Sequence, residues 1–199
     1  MKRKISIQGK ALILTLALSA TTSAIADNAE QRTQAAMEVA QSFMIQLGKT
    51  MKSAMQKDGP VAAINVCAEQ APKMTADISR SQGWKVTRVS TRVRNPMLGM
   101  PDVWEQKVLA QFQARLDRGE SLKTMSFSEM VTEPNGRYFR FAKAIGVKPQ
   151  CLTCHGSKND IPSAVKQKLQ QQYPFDKATD YRAGDLRGAV SIKQPLPSM

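Results

Sequence analysis

The segment Cys151-Leu152-Thr153-Cys154-His155 concentrates the reactive side chains of this chain. Two thiols three positions apart can add across the two vinyl groups of one haem, giving two thioether bonds. The imidazole that follows can reach the iron from below the porphyrin plane. His155 is also the only histidine in the sequence. Two other readings use the same residues. A Cys3His zinc site could recruit Cys67, Cys151, Cys154 and His155, but side chains of adjacent residues such as Cys154 and His155 point apart and make awkward ligands for one tetrahedral ion. A redox dithiol of Cys151 and Cys154 wants a strand-to-helix setting within a βαβ unit, whereas His155-Gly156-Ser157 leads into a polar loop. The spacing therefore predicts one covalently attached haem c, with Cys151 and Cys154 as attachment points and His155 as the proximal ligand.

A second axial ligand, if there is one, is not a histidine. Cys67, a methionine, an amine, a tyrosine or water could take the position. Three cysteines is an odd number for an exported protein, so one thiol lies outside any pairing, and Cys67 is that thiol. Ten of the 11 methionines follow Asp27, and most sit at helical or strand spacing suited to core filling. Met97 and Met100 stand apart in the loop Asn95-Pro96-Met97-Leu98-Gly99-Met100-Pro101.

The first 26 residues read as a cleavable signal peptide. Lys2, Arg3, Lys4 and Lys10 precede a short apolar run that stops at Ser19, and Ala24-Ile25-Ala26 offers small residues for a signal peptidase. The run is shorter than the roughly 20 residues that cross a bilayer. Residues 27–199 then form one domain, exported to the periplasm. Four of the 29 basic residues and none of the 16 acidic ones precede Asp27, so the net charge falls from +13 to +9 on cleavage. This balance favours acidic partner surfaces and allows contact with anionic membrane surfaces. Export, and basic residues scattered along the chain, argue against nucleic acid. No transmembrane segment is expected after cleavage.

Apolar residues at helical spacing (Ala36, Met37, Ala40, Met44, Leu47, Met51, Ala54) predict a long amphipathic helix over 28–57. Asp58-Gly59-Pro60 should end it and start a second, to about Ala71, with a break at Pro72 and a short continuation to Gln82. The pattern predicts strands over 84–93, 124–132, 137–145 and 187–193, the middle two joined by a Pro134-Asn135-Gly136 hairpin. Helices are expected over 103–118, capped by Asp102, and over 163–172. Helices first, then antiparallel strands interrupted by helix, predict an α+β domain.

Five segments together resemble a known family: Ala63-Ile64-Asn65-Val66-Cys67, Ser90-Thr91-Arg92-Val93-Arg94-Asn95-Pro96, Cys151-Leu152-Thr153-Cys154-His155-Gly156, Tyr173-Pro174-Phe175-Asp176, and Tyr181-Arg182-Ala183-Gly184-Asp185-Leu186-Arg187-Gly188-Ala189. From Ala62 to Ile192 the chain resembles the PAS-like c-type haem domains, formerly a domain of unknown function. The family includes periplasmic sensor modules and a cyanobacterial cytochrome with a thiolate axial ligand. The resemblance implies a PAS-like antiparallel sheet flanked by helices, a haem against that sheet, and Cys67 as the distal ligand. The chain departs from the family where Met97-Leu98-Gly99-Met100-Pro101 follows Asn-Pro, which leaves room for methionine ligation or for exchange between Cys67 and a methionine. Arg88, Arg92 and Arg94 fall on one strand parity, and their guanidinium forks suit haem propionates; a solvated strand face is the plainer reading. Gly184 and Gly188 suit turns.

A thiolate stabilises ferric iron, so His155/Cys67 ligation implies a low reduction potential. Low-potential electron transfer with an acidic redox partner is the expected role, with haem-based redox or gas sensing through a separate protein as the alternative. Sensing would need that partner because no output segment follows before Met199. A peroxidase or nitrite reductase would need an acid–base group beside an open iron, and no distal histidine exists to supply it. A structural or metal-storage role remains only for a chain without haem.

Overall fold

The computed structural model describes residues 19–197, with side chains from Asn28 onward. The expected signal peptide therefore falls mainly outside the described residues. Helix α1 spans Ser19–Asn65 but is two helices meeting at Gly59, whose φ of 80° breaks the helical path before Pro60. The corner is where Asp58-Gly59-Pro60 predicts it. Glycine adopts this left-handed conformation without steric cost, and proline at the next position has its φ set for a helix start.

The chain then departs from the expected break at Pro72. A π-turn, Val66–Gln70, carries α1 directly into α2, Ala71–Gln82. Pro72 lies in the first turn of α2, where its missing N–H leaves no helical bond unmade. Gly83 closes α2 in the left-handed conformation, with φ of 68°. Strand β1 follows over Lys85–Val89, a short helix α3 over Pro96–Gly99, and α4 over Val103–Asp117. Asp102 caps α4, taking the Glu105 N–H while the Glu105 side chain returns to the Asp102 N–H. Strands β2, Ser126–Glu133, and β3, Gly136–Gly146, form the hairpin. A 3-10 turn, Pro149–Cys151, leads into α5, Leu152–His155; α6, Ser163–Gln172, and β4, Leu186–Pro195, complete the fold.

The four strands make one antiparallel sheet in the order β1-β4-β3-β2. The last strand thus lies in the interior, between the first and the third. Alternation along β3 and β4 divides the core in two. Phe139, Phe141, Val190 and Ile192 face α1, where Ala36 and Ala40 bring the helix close and Phe43 fills the gap. Ala142, Ala144 and Ala189 face α4 and meet Val108, Leu109 and Phe112. The result is an α+β domain with helices on both faces of the sheet, as the order of predicted elements implies.

β1 is shorter than expected, ending at Val89. Ser90 Oγ donates to the carbonyl oxygen of Arg187 at 2.7 Å and lies 3.1 Å from that of Arg92, where the chain turns out of the sheet. Arg92 and Arg94 therefore leave the strand parity they share with Arg88 on paper. Among the described residues no helix is long and apolar enough to cross a membrane.

Candidate functional site

The cysteine motif lies where β3 ends, and two segments hold it there. Val147 N–H donates to Asp185 O and Gly184 N–H to Val147 O, each at 2.9 Å. Tyr181 N–H donates to His155 O at 3.0 Å, and Asp180 N–H to Gly156 O at 2.8 Å. The irregular segment 178–181 thus lies alongside the motif, and Val147, Ala178 and Tyr181 form a small core against Cys151 and Leu152. Within the helical turn, a spacing of three places Cys151 and Cys154 on one side. Gly156 caps the turn, and a β-carbon there would stand 2.6 Å from Leu152 O, so only glycine fits.

His155 Nδ1 lies 2.7 Å from Ala178 O. A carbonyl only accepts, so Nδ1 carries the proton and Nε2 keeps its lone pair for a metal. The ring also meets the edge of Tyr181, centroid to centroid 6.1 Å. Burial, followed by the charges of Arg94, Arg187 and Arg88, holds the imidazole well below its usual pKa, against the opposing pull of the Ala178 carbonyl. His155 is therefore neutral, the form that ligates.

The three arginines singled out in the sequence take different places. Arg94 is nearly buried and donates to Cys154 O at 2.5 Å and Ala178 O at 3.1 Å. Its Nε lies 3.0 Å from Asp176 Oδ2, an ion pair without hydrogen-bond alignment. Asp176 Oδ1 accepts the Ala178 N–H at 2.7 Å, so the pair grips the residue whose carbonyl orients His155. Arg92 stacks over Tyr181 at 3.5 Å and donates to Thr179 O and Asp180 O. Arg88 lies over the face of Phe43, 5.9 Å from its centroid. Sequence reasoning missed Arg187, which donates to Ser90 Oγ at 2.8 Å and flanks the Tyr181 ring at 5.3 Å. It also passed over the roles of Asp176 and Tyr181, although both lie in segments that carry the family resemblance.

The π-turn brings Cys67 to the same end of the domain. Its neighbour Ala68 and the motif's Cys154 pack on one cluster of Ile64, Val165, Leu169 and Tyr173. Burial pushes the Cys154 thiol up and the Arg94 charge draws it down, while Cys67 and Cys151 are close enough for their charges to push it further up. Tyr173 is pushed up to about 12, by burial first and then by Cys67. All three cysteines are free thiols. Met97 and Met100 project outward, 89% and 62% exposed. Among the described residues no three His, Cys, Asp or Glu side chains converge to hold a metal ion. The donor set that remains is two thiols a helical turn apart, one imidazole with Nε2 open, and a third thiol nearby. That set fits a porphyrin carried on two thioethers.

The sequence matches the Tll0287-like family over residues 7–195, most of its length. The chain belongs to the Tll0287-like family. Among solved structures, that of the cyanobacterial haem protein Tll0287 aligns with a TM-score of 0.60 at 26% identity. The alignment covers 87% of this chain and 98% of that one. No curated protein matches the sequence. The Tll0287-like match takes in every residue of the site, from Cys67 to Arg187.

Proposed function

We propose that this protein is an exported monohaem c-type cytochrome that transfers single electrons at low potential. Cys151 and Cys154 would hold the haem covalently, and His155 Nε2 and Cys67 Sγ would be the ligands offered to its iron. The observation that carries the reading is the His155 Nδ1 bond to Ala178 O, 2.7 Å long, which leaves Nε2 open beside two free thiols. The similarity to a haem protein of known structure over nearly all of both chains supports it. The haem supplies the one-electron couple; the protein's part is to orient the imidazole, exclude water and set the surrounding charge.

Arg88, with its guanidinium on the Phe43 face, is the partner for a propionate, while Arg92 and Arg94 hold backbone carbonyls instead. The apolar side chains of Met97, Leu98 and Phe175 are exposed on two segments joined by the bond from Lys177 N–H to Val93 O, and they suit a porphyrin edge. The leader pattern over 1–26 supports a periplasmic location, and the net charge supports an acidic redox partner.

One observation favours the sensing alternative. Cys67 sits in a π-turn between two helices, a local geometry often found at functional sites that rearrange. Release of Cys67 there could shift α1 against α2 for a separate partner to read.

The test is a pyridine haemochrome assay, with the mass of the mature chain, after expression alongside the haem-attachment machinery. The expected result is one c-type haem per chain. A mass equal to the bare polypeptide rejects the reading. Cys67→Ala should abolish the thiolate signature in the ferric Soret band and paramagnetic resonance spectrum; unchanged spectra remove Cys67 from the iron.

A further inference from the structure

We propose that Met51 is a second distal ligand, sharing one coordination position with Cys67, so that the iron takes the thiolate when ferric and the thioether when ferrous. The proposal rests on the haem reading above. Cys67 Sγ and Met51 Sδ are 3.5 Å apart. Along α1, Met37, Met44 and Leu47 pack against the sheet core. Met51 follows one turn later and meets the thiol instead. Both side chains are half-buried, neither sealed in the core nor free in solvent.

With the two sulfurs in contact, an iron held by one comes within reach of the other through side-chain rotation alone. Methionine, unbranched and with three rotatable bonds, is suited to that movement. The π-turn supplies slack on the cysteine side. The two sulfurs also differ in the sense the couple needs. An anionic thiolate donates strongly and favours ferric iron, whereas a neutral thioether raises the potential and favours ferrous iron. Ala68, next to Cys67, packs on the same cluster as Cys154, and Cys67 itself lies close enough for its charge to act on Cys154 and Tyr173. Met97 and Met100, the methionines that stand out in the sequence, are exposed.

A one-electron donor protein reduces Fe(III) to Fe(II). The iron–Cys67 bond breaks, and that sulfur takes one proton from water to become a thiol. A lone pair of Met51 Sδ makes the new bond. Oxidation reverses each change.

The experiment uses the haem-loaded full chain in both oxidation states. Met51→Leu, close in volume, should leave the ferric thiolate spectrum as in the wild type, which also shows that the variant folds. Its ferrous form should lose the six-coordinate low-spin spectrum. Cys67→Ala reads the same ligand from the other side: its ferric form should gain the weak red charge-transfer band of thioether-bound haem, and Cys67→Ala/Met51→Leu should lose it. A Met51→Leu ferrous spectrum identical to wild type, with Cys67→Ala still altering the ferric spectrum, overturns Met51 ligation alone. Ferric spectra that Cys67→Ala leaves unchanged overturn Cys67 ligation and this proposal together.

Discussion

The imidazole of His155 is governed by a carbonyl that is itself held by charge. Arg94 and Asp176 close on Ala178 from two sides, one at its oxygen and one at its N–H. Both side chains are nearly buried, 10% and 11% exposed, so their charges act through little water. Neutralising either leaves its partner unopposed beside the His155 imidazole. With an effective dielectric of about 20, an unpaired charge on the order of 8 Å away contributes about 2 kcal/mol, roughly 90 mV for one electron. Asp176→Asn should therefore raise the midpoint potential of the haem-loaded protein by tens of millivolts, because the free guanidinium favours the reduced iron. Arg94→Gln should lower it by a similar amount. Spectroelectrochemical titration of both variants checks the signs; shifts in the same direction would mean that the pair acts through geometry and not through charge.

At the scale of elements, the sequence is most informative where the governing contacts are local. Asp102 and Glu105 write the start of α4 within three residues, Pro134-Asn135-Gly136 writes the hairpin, and the cysteine motif is a single turn. The end of β1 was not legible because Ser90 is drawn out of line by Arg187, 97 positions away. Met51 reads as core filler by spacing, and only the π-turn after Asn65, which Pro72 disguises as a break, brings Cys67 against it. Arg94 is on strand parity in the sequence, yet its partners Cys154, Asp176 and Ala178 all lie far along the chain. Gly188 shows the same limit. It reads as a turn residue, but it sits at the start of β4 with φ of 153°, and a β-carbon would lie 2.2 Å from Val89 O. The β1–β4 pairing thus requires glycine there for close backbone approach. Gly188→Ala should destabilise the domain by roughly 3 kcal/mol or more, as expected when both a strained φ and a backbone overlap must be relieved. Gly184→Ala is the control: its φ is 96° but the space is open, and the cost should be about 1–2 kcal/mol. Urea unfolding of the two variants separates strain from overlap, and equal losses would refute the role of the Val89 contact.

Across the whole molecule, the end of the sheet carrying the hairpin is held by charge. Arg140, 3% exposed at its side chain, pairs with Asp102 at 2.8 Å, Glu133 at 3.1 Å and Glu105 at 3.3 Å, while Trp104 covers it at 4.4 Å. Lys193 of β4 adds a second cation to Glu133 at 2.5 Å. One guanidinium thus ties α4 to β2 and β3, and the lysine extends the tie to β4. Burial pushes the Glu133 carboxyl up, but the bonds and charges of Lys193 and Arg140 outweigh it and hold the group below its ordinary value of 4.5. Asp102 is held below 3.8 by the Glu105 N–H and Arg140, again against burial. For acids depressed on folding, the unfolded chain binds protons first as the pH falls. Their stabilisation is complete above the unfolded values and is lost as the pH drops through the folded ones. The wild type should therefore weaken progressively below about pH 4.5. Arg140→Met removes the cation and leaves three carboxylates crowded together, which should cost about 3–5 kcal/mol at pH 7. Those carboxylates then gain by protonation, so the deficit should shrink as the pH is lowered from 6 to 3 (both values about, spanning the carboxylate range). Urea midpoints followed by far-ultraviolet circular dichroism across that range would show it, and a gap between wild type and variant that stays constant with pH would mean that Arg140 contributes packing under Trp104 and not charge.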